Sequence, residues 1–399
     1  MNKEIDYILS AEAVRERTSK LFDLTVAGKT NFEYHEEKLQ EVSNFVLEVI
    51  KDNYPDLKIP FHSRWGHFQV GGIDRNSKFD SELASLDPKE KGRTKLDLVI
   101  TSVLLDAGAG PTWSFDEDGK SFNRSEGLGV ASWHMFMDGA FSKNGSKIAD
   151  ASKLVEISGA DIEKAFQVSE SNPLVGVSGR AGLLASLGKC IQSKPEVFVD
   201  GRPGNILDYM ESKHGSEFAA TDLLKAVLTH FGDIWPSRIV VDGISLGDVW
   251  NHPSLGEKSD LNSLVAFHKL SQWLTYSLIE PFMEAGFNVH SVNKMTGLAE
   301  YRNGGLLIDS GLITLRDPKM MEVSHKPDSE IIIEWRALTV NLLDKIADIV
   351  RKELGFSDEE FPLAKVLEGG TWWAGRRIAK EKREDSSPPL KLDSDGTVF

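Results

Sequence analysis

The sequence predicts a mainly α-helical protein with a few short β-strands. Apolar residues recur at spacings of three and four along several long stretches, which is the period of an amphipathic helix. Candidate strands are short and do not alternate regularly with the predicted helices, so a doubly wound parallel sheet is not expected. We expect one compact domain over residues 1–379, with 1–93 as a candidate N-terminal subdomain and 380–399 as a charged tail.

The predicted helices are distributed along the whole chain. The last of them has the strongest pattern, because its buried positions continue without interruption for several turns. Thr221 is expected to be an N-cap, and Pro281 is expected to end the helix that precedes it. The predicted helices are 10–26, 39–50, 96–104, 128–141, 222–231, 264–279 and 337–354.

Short runs of apolar and β-branched residues supply the candidate strands. Glu334 and Arg336 alternate with apolar residues, which is typical of a strand that leads into the next helix. The polar segment 74–93 is rich in Asp, Ser, Lys and Gly and is predicted to be an exposed loop. The predicted strands are 196–199, 239–241, 306–308 and 330–333.

Composition and charge exclude several classes of protein. The chain has 399 residues, of which 40% are hydrophobic and 27% charged, an ordinary globular composition. A net charge of −15 opposes binding to nucleic acid. No apolar run is long enough to span a bilayer, and the N-terminus lacks the apolar core of a signal peptide. We therefore expect a cytoplasmic protein whose partners are neither nucleic acids nor membranes.

Metal-binding and nucleophile motifs are weak in this sequence. The one cysteine, Cys190, excludes an internal disulfide and a multi-cysteine metal site, and the histidines show no metal-ligand spacing. We expect no metal and no other cofactor. The stretch from Gly243 to Gly247 has the G-x-S-x-G pattern, but no helix is predicted directly after it, as a nucleophile elbow requires. A serine hydrolase that uses Ser245 is kept as an alternative.

Three segments place polar side chains among apolar neighbours. Lys269 and Gln272 share a helix face, where an ammonium and an amide can meet a phosphate or a sugar. Glu300 and Arg302 directly precede two glycines, and Arg336 lies in a third apolar segment. Each segment has a structural alternative: a solvated helix face, an ion pair that closes a turn, or the edge of a strand.

A fourth group of polar and aromatic residues lies in the predicted helix 128–141. His134 and Asp138 are one helical turn apart, so that their side chains can meet, and Trp133 adjoins them. A buried histidine is more often a hydrogen-bonded core residue than a catalyst, and tryptophans more often pack than stack on a ligand. These three residues are candidates for the wall of a binding pocket.

Seven short motifs are spread nearly from end to end of the chain: GRTKLD (92–97), NPLVG (172–176), FGDIWP (231–236), NHP (251–253), FHKL (267–270), TWWAGR (371–376) and DGTVF (395–399). With these motifs the whole chain resembles the fungal and bacterial uracil-catabolism family of the Urc/Urg type. The resemblance implies a role in a pyrimidine-breakdown route that passes through a ribosylated urea, and does not by itself specify a reaction.

A second resemblance covers roughly the last third of the chain. FHKLSQ (267–272), LAEYR (298–302) and IEWR (333–336) follow one another as three signatures do in the queuosine-phosphate N-glycosylases. Those enzymes resemble helical DNA glycosylases in fold, which implies a helical bundle of that kind here. In them an aspartate at the position of Glu300 serves the hydrolysis, and the segment of Lys269 meets the phosphate of the nucleotide. This chain departs from the pattern in having Glu for Asp, and Asn303 with two glycines for an apolar, proline-containing stretch.

The chemistry of ribosyl transfer to water agrees with this resemblance. Cleavage of a C1′–N bond passes through an oxocarbenium-like state, which a nearby carboxylate stabilises while it takes a proton from the attacking water. We therefore expect hydrolysis of a ribosylurea or a pyrimidine nucleoside or nucleotide, with Glu300 as the catalytic carboxylate. Arg302 is expected to orient Glu300 or the sugar, Lys269 and Gln272 to hold phosphate or ribose, and Arg336 to support the site.

Two points are left open by the sequence. The neutral leaving group needs only modest help, for which His134 and Asp138 are the candidates. The alternative from another functional class is a non-catalytic nucleotide-binding or scaffold protein of the same pathway. The expected partner is in either case a small (phospho)riboside.

Overall fold

The structure, a computed structural model, describes residues 3–106, 108–110, 112–235 and 238–393. It is mainly α-helical, which confirms the predicted fold class. None of the described helices has both the length and the apolar character that crossing a bilayer requires. The helices are α1 Lys3–Ile8, α2 Ala11–Val26, α3 Leu39–Asn53, α4 Arg64–His67, α5 Arg75–Glu82, α6 Pro88–Leu104, α7 Arg124–Met137, α8 Ala151–Leu154, α9 Gly159–Ala165, α10 Val177–Gln192, α11 Ile206–His214, α12 Ala220–His230, α13 Lys269–Glu284, α14 Tyr301–Asp309, α15 Glu330–Leu354, α16 Leu363–Val366 and α17 Trp372–Lys382.

The β-strands of the described residues are short and form two-stranded pairs. They are β1 Phe32–Tyr34, β2 Ser114–Glu117, β3 Lys120–Asn123, β4 Glu217–Ala219, β5 Val240–Val241, β6 Ile244–Ser245, β7 Val249–Asn251, β8 Leu264–Ala266, β9 Asn288–His290, β10 Ile313–Leu315, β11 Ser324–His325 and β12 Lys391–Leu392. The antiparallel pairs are β1–β10, β2–β3, β5–β6 and β7–β8, and the parallel pairs are β4–β9 and β11–β12.

Several local predictions are wrong. The segment 74–93 is not a loop, because Asp74 and Asp87 cap α5 and α6 within it. The segments 306–308 and 330–333 lie inside α14 and α15 instead of forming strands. A short apolar run has no period of its own that separates a buried strand from a buried helix.

Other boundaries also differ from the predictions. The segment 196–199 contains no strand, and 264–279 begins with β8 before α13 starts at Lys269. Helix α13 continues past Pro281 to Glu284, and α12 begins after Ala219 instead of Thr221. The motif 395–399, Pro236 of the motif 231–236 and the end of the predicted tail lie outside the described residues.

The chain divides into two compact units. The first unit comprises the described residues of Met1–His62, Ser237–Trp273 and Ser291–Phe399, and the second unit comprises those of Ser63–Pro236 and Leu274–His290. In the first unit α15 packs against α2, α3 and α14, and α14 also packs against α17. In the second unit α6 packs against α7, α10 and α11.

Helix α15 forms much of the core of the first unit. Leu338, Leu342, Ile346 and Val350 are buried, and their spacing of four residues places them along one face. The helix ends at Gly355, which has a φ of 76° and donates its N–H to the carbonyl of Arg351. Glycine adopts this left-handed conformation without strain, which explains why the helix stops there.

Candidate active site

The predicted site residues are divided between the two units. The first unit contains Lys269, Gln272, Glu300, Arg302 and Arg336. The second unit contains Trp133, His134 and Asp138.

Glu300 is the N-cap of α14, and its carboxylate is buried. Its two oxygens accept hydrogen bonds from the backbone N–H groups of Arg302 and Asn303, at 2.7 and 2.5 Å. Burial raises the pKa of this carboxyl above its usual range, and the two N–H groups and the charges of Lys269 and His62 offset the effect only in part. Buried carboxyl groups with raised pKa values are common at catalytic sites.

A second, largely buried carboxylate, that of Asp248, organises the start of α13. Its oxygens accept hydrogen bonds from the two terminal nitrogens of Arg336, both at 2.7 Å, from the Trp250 indole at 2.7 Å and from the Lys269 backbone N–H at 3.1 Å. Burial acts to raise the pKa of Asp248, but Arg336 and the other donors hold it well below its usual range. Asp248 is therefore an ionised group that connects α13 and α15.

Arg336 links this carboxylate to the segment that carries Glu300. Its guanidinium lies over the ring of Phe267, 4.1 Å from the centroid, and its Nε donates to the carbonyl of Ala299 at 3.4 Å. Ala299 directly precedes Glu300 in the chain. The side chain thus joins Asp248 and Phe267, near the start of α13, to the backbone just before Glu300.

The side chains of Gln272 and Arg302 form hydrogen bonds with other residues of the chain. The Gln272 amide donates to the Phe267 carbonyl at 3.0 Å and to Thr296 Oγ1 at 2.6 Å, and accepts from the Thr296 N–H at 3.1 Å. Arg302 donates to the carbonyl of Ser386 at 2.8 Å. Gln272 therefore ties the start of α13 to the segment before Glu300, and Arg302 ties α14 to the C-terminal segment.

Sequence reasoning missed a cluster of His, Glu and Tyr in the first unit. His62 Nδ1 lies 2.8 Å from Glu368 Oε2, and the Tyr54 hydroxyl donates to Glu368 Oε1 at 3.3 Å. Burial and the adjacent Glu368 raise the pKa of Tyr54. Glu368 lies in a π-helical turn, Leu367–Thr371. Such turns are rare in proteins overall, and many of those that occur lie at functional sites.

In the second unit His134 pairs with a carboxylate that is also bound by an arginine. His134 Nε2 lies 2.8 Å from Glu117 Oε1, and Glu117 forms an ion pair with the fully buried Arg75. Asp138, the predicted neighbour of His134, is exposed at the end of α7. The indole N–H of Trp133 is buried without a hydrogen-bond partner among the described residues.

The G-x-S-x-G segment forms a β-hairpin. Asp242 and Gly243 connect β5 to β6 and have φ values of 50° and 77°, as in a type I′ turn. Ser245 is followed by β7, not by a helix, and its Oγ has no hydrogen-bond partner within the described part of the chain. The local geometry of a nucleophile elbow is therefore absent from this described segment.

One described group, His252, Glu330 and Glu334, has potential metal-ligand atoms within 4.8 Å of one another. The N–H of Ser254 faces His252 Nδ1 at 3.3 Å, so Nε2 carries the ring proton and donates to Glu334 at 3.3 Å. Glu334 also accepts from the Asn31 backbone and side chain. His252 and Glu334 are both engaged in hydrogen bonds, and these contacts fit a hydrogen-bonded brace.

The fold and these contacts define a mainly α-helical protein with buried, charged side chains joined around the starts of two helices. A family model described as "Protein of unknown function (DUF1688)" matches residues 7–399, and the chain belongs to this family. It is 38% identical over 440 residues to "Uracil catabolism protein 4" of Lachancea kluyveri, with 100% of each chain covered. It is 39% identical over 404 residues to "Protein urg3" of Schizosaccharomyces pombe, with 98% of each covered. The predicted resemblance to the uracil-catabolism family is confirmed.

Proposed function

We propose that this protein hydrolyses a ribosyl N-glycosidic bond, in a ribosylurea or a pyrimidine nucleoside or nucleotide, during uracil breakdown. Full-length similarity to a relative named for uracil catabolism supports the pathway. The observation that carries the reaction is the buried Glu300 carboxyl, whose pKa burial raises and which lies close enough to Lys269 to feel its charge. The three segments similar to queuosine-phosphate N-glycosylases also support this reaction.

The proposed roles combine the sequence prediction with the contacts of these side chains. Glu300 stabilises the developing charge at C1′ and takes a proton from the attacking water. Lys269 binds a 5′-phosphate or the ribose hydroxyls, together with Arg302. Gln272 and Arg336 are positioning residues, because their polar atoms bond to the segments that flank Glu300 and Lys269.

The test measures urea, uracil and ribose released from ribosylurea, ribosylurea 5′-phosphate, uridine and uridine monophosphate. Glu300→Gln keeps the size of the side chain and an oxygen that can cap α14, but removes the charge. We expect it to bind ligand as the parent does and to lose turnover by about 10²-fold or more.

The matched control is Asp74→Asn, which makes the same chemical change at the exposed N-cap of α5 in the second unit. This variant should react at the parental rate. Equal rates from Glu300→Gln and the parent would remove Glu300 from the mechanism.

A non-catalytic nucleotide-binding or scaffold role in the same pathway is the second candidate, and one contact favours it. Both oxygens of Glu300 accept N–H groups of its own helix, as those of a structural cap do. In that case the parent binds the four compounds without releasing products, and Glu300→Gln only lowers stability. Titration calorimetry beside the product assay separates the two functions.

A further inference from the structure

His62 has the surroundings of a proton donor, and the proposed function above leaves it without a role. Its side chain is 8% exposed, and its Nδ1 lies 2.8 Å from Glu368 Oε2. Its backbone N–H donates to the carbonyl of Ala364 at 3.0 Å, and the ring of Trp372 lies 5.8 Å from its ring. The backbone N–H and Nδ1 of His62 are therefore both engaged in hydrogen bonds, and Trp372 lies beside the ring.

Glu368 is also positioned by hydrogen bonds and by close packing of its turn. Tyr54 donates to its second oxygen, and the Asn53 side chain donates to the carbonyl of the next residue, Gly369, at 3.4 Å. An added methyl group at Gly369 would meet Ile59 at 2.7 Å, so the π-helical turn packs closely against the segment before His62. A carboxylate on Nδ1 fixes the proton on that nitrogen and leaves Nε2 for proton transfer.

His62 and Glu300 belong to one region of the first unit. Gly297, three residues before Glu300, packs against Leu363, which adjoins the residue that accepts the His62 N–H. Helix α14, which Glu300 caps, also contacts the π-helical turn that carries Glu368. The charge of His62 acts on Glu300 and lowers its pKa, in agreement with this arrangement.

We propose that His62 is the general acid that protonates the leaving nitrogen of the substrate, and that Glu368 is the positioning residue that orients it. This inference rests on the N-glycosidase function proposed above. The proton on Nε2 of the imidazolium passes to the leaving nitrogen as the C1′–N bond breaks, and the bonding electron pair stays with that nitrogen. The oxygen of water bonds to C1′ while Glu300 takes the water proton, which returns to His62 through solvent. The net reaction consumes one water and yields ribose, or its phosphate, and urea or uracil.

The test compares leaving groups. Uridine or ribosylurea needs a proton on the departing nitrogen, whereas 4-nitrophenyl riboside releases a stable anion without one. We expect His62→Gln to lower kcat/KM for the nitrogen-linked substrates by about 10²- to 10⁴-fold, with a far smaller loss on the nitrophenyl riboside. Glu368→Gln should show the same selectivity with a smaller loss. Glu300→Gln should lower kcat/KM for both kinds of substrate, because both reactions need charge stabilisation at C1′.

The control is His35→Gln, a half-buried histidine of the same unit that bonds to Thr314. It should retain parental values with both kinds of substrate. Equal losses of His62→Gln and Glu368→Gln on both kinds of substrate, or no loss on either, would overturn the general-acid role, since a folding defect does not distinguish leaving groups. Failure of the parent to cleave any nitrogen-linked substrate would instead overturn the proposed function, and this inference with it.

Discussion

At the scale of a single residue, Glu300 caps α14 and in the proposed mechanism is also the catalytic carboxylate. Its surroundings predict an unusual acid dependence. Burial raises the pKa of the carboxyl, while the Arg302 and Asn303 N–H groups, Lys269 and His62 lower it in part. As the pH falls through this raised pKa, Glu300 takes up a proton and loses the charge that stabilises C1′, so kcat/KM should begin to fall at a higher pH than for an exposed glutamate.

The variant Lys269→Met tests whether this fall in kcat/KM at low pH reports the protonation of Glu300. Lys269 lowers the pKa of Glu300, so its removal should raise that pKa further and move the acidic limb of the pH–rate profile to higher pH. Uridine is the suitable substrate, because it carries no phosphate, and a change in its binding to Lys269 through the ribose would alter the height of the profile but not the pH of its acidic limb. An acidic limb at the same pH in the variant and the parent would show that the limb does not report Glu300.

Single residues also show where prediction from the sequence stops. Lys269, Glu300 and Arg336 lie in short motifs that bring polar groups into apolar runs, and these motifs are visible without a structure. His62 and Glu368 are 306 positions apart and meet only after folding. Asp248 likewise meets Arg336 from 88 positions away. No local sequence pattern predicts such pairs. His62 therefore could not be distinguished from the other histidines of the chain.

At the scale of elements, α14 shows why some helices escape prediction. Two glycines, Gly304 and Gly305, lower its helix propensity, and Leu306 to Ile308 is a run that also fits a strand. The structure explains Gly304, since an added methyl group would meet Trp335 of α15 at 2.8 Å. The close approach of the two helices therefore requires glycine at position 304, although glycine is a poor helix former. Helix α15 was predicted from residue 337 onward, because its period continues over most of its 25 residues, but its first turn, 330–333, was predicted as a strand.

The same argument gives a prediction for the contact between α14 and α17. A methyl group added at Gly375 would overlap the backbone carbonyl of Arg302, which cannot move without displacing the start of α14. Gly375→Ala should therefore lower the free energy of unfolding by about 1–3 kcal/mol. Urea denaturation followed by circular dichroism measures the change.

The matched control for Gly375→Ala is Gly182→Ala, in the interior of α10. An added methyl group there meets no heavy atom within 4 Å, and the residue has ordinary helical φ. This variant should gain about 0.5–1 kcal/mol from helix propensity. If the Gly375→Ala protein is as stable as the parent, α14 and α17 pack less closely than they do in this structure.

At the scale of the whole molecule, the two compact units are built from interleaved parts of the chain. The chain passes from one unit to the other after residues 62, 236, 273 and 290. The third of these points lies inside α13, whose residues 269–273 belong to the first unit and 274–284 to the second. An α-helix forms and melts cooperatively, so α13 should couple the unfolding of the two units.

One buried ion pair in each unit provides a test of this coupling. Asp97 of the second unit is fully buried and accepts hydrogen bonds from Arg202 and from the N–H groups of Gly204 and Ala149. In the first unit Asp248 pairs with Arg336. Asp248→Asn leaves the buried Arg336 without its counter-charge, which should cost about 3–5 kcal/mol, whereas Asp97→Asn should cost less, because Arg202 keeps its ion pair with Glu90. If α13 couples the units, differential scanning calorimetry will show one transition in the parent, and either substitution will lower its midpoint. Two transitions, each shifted by only one of the substitutions, would show that the units unfold independently.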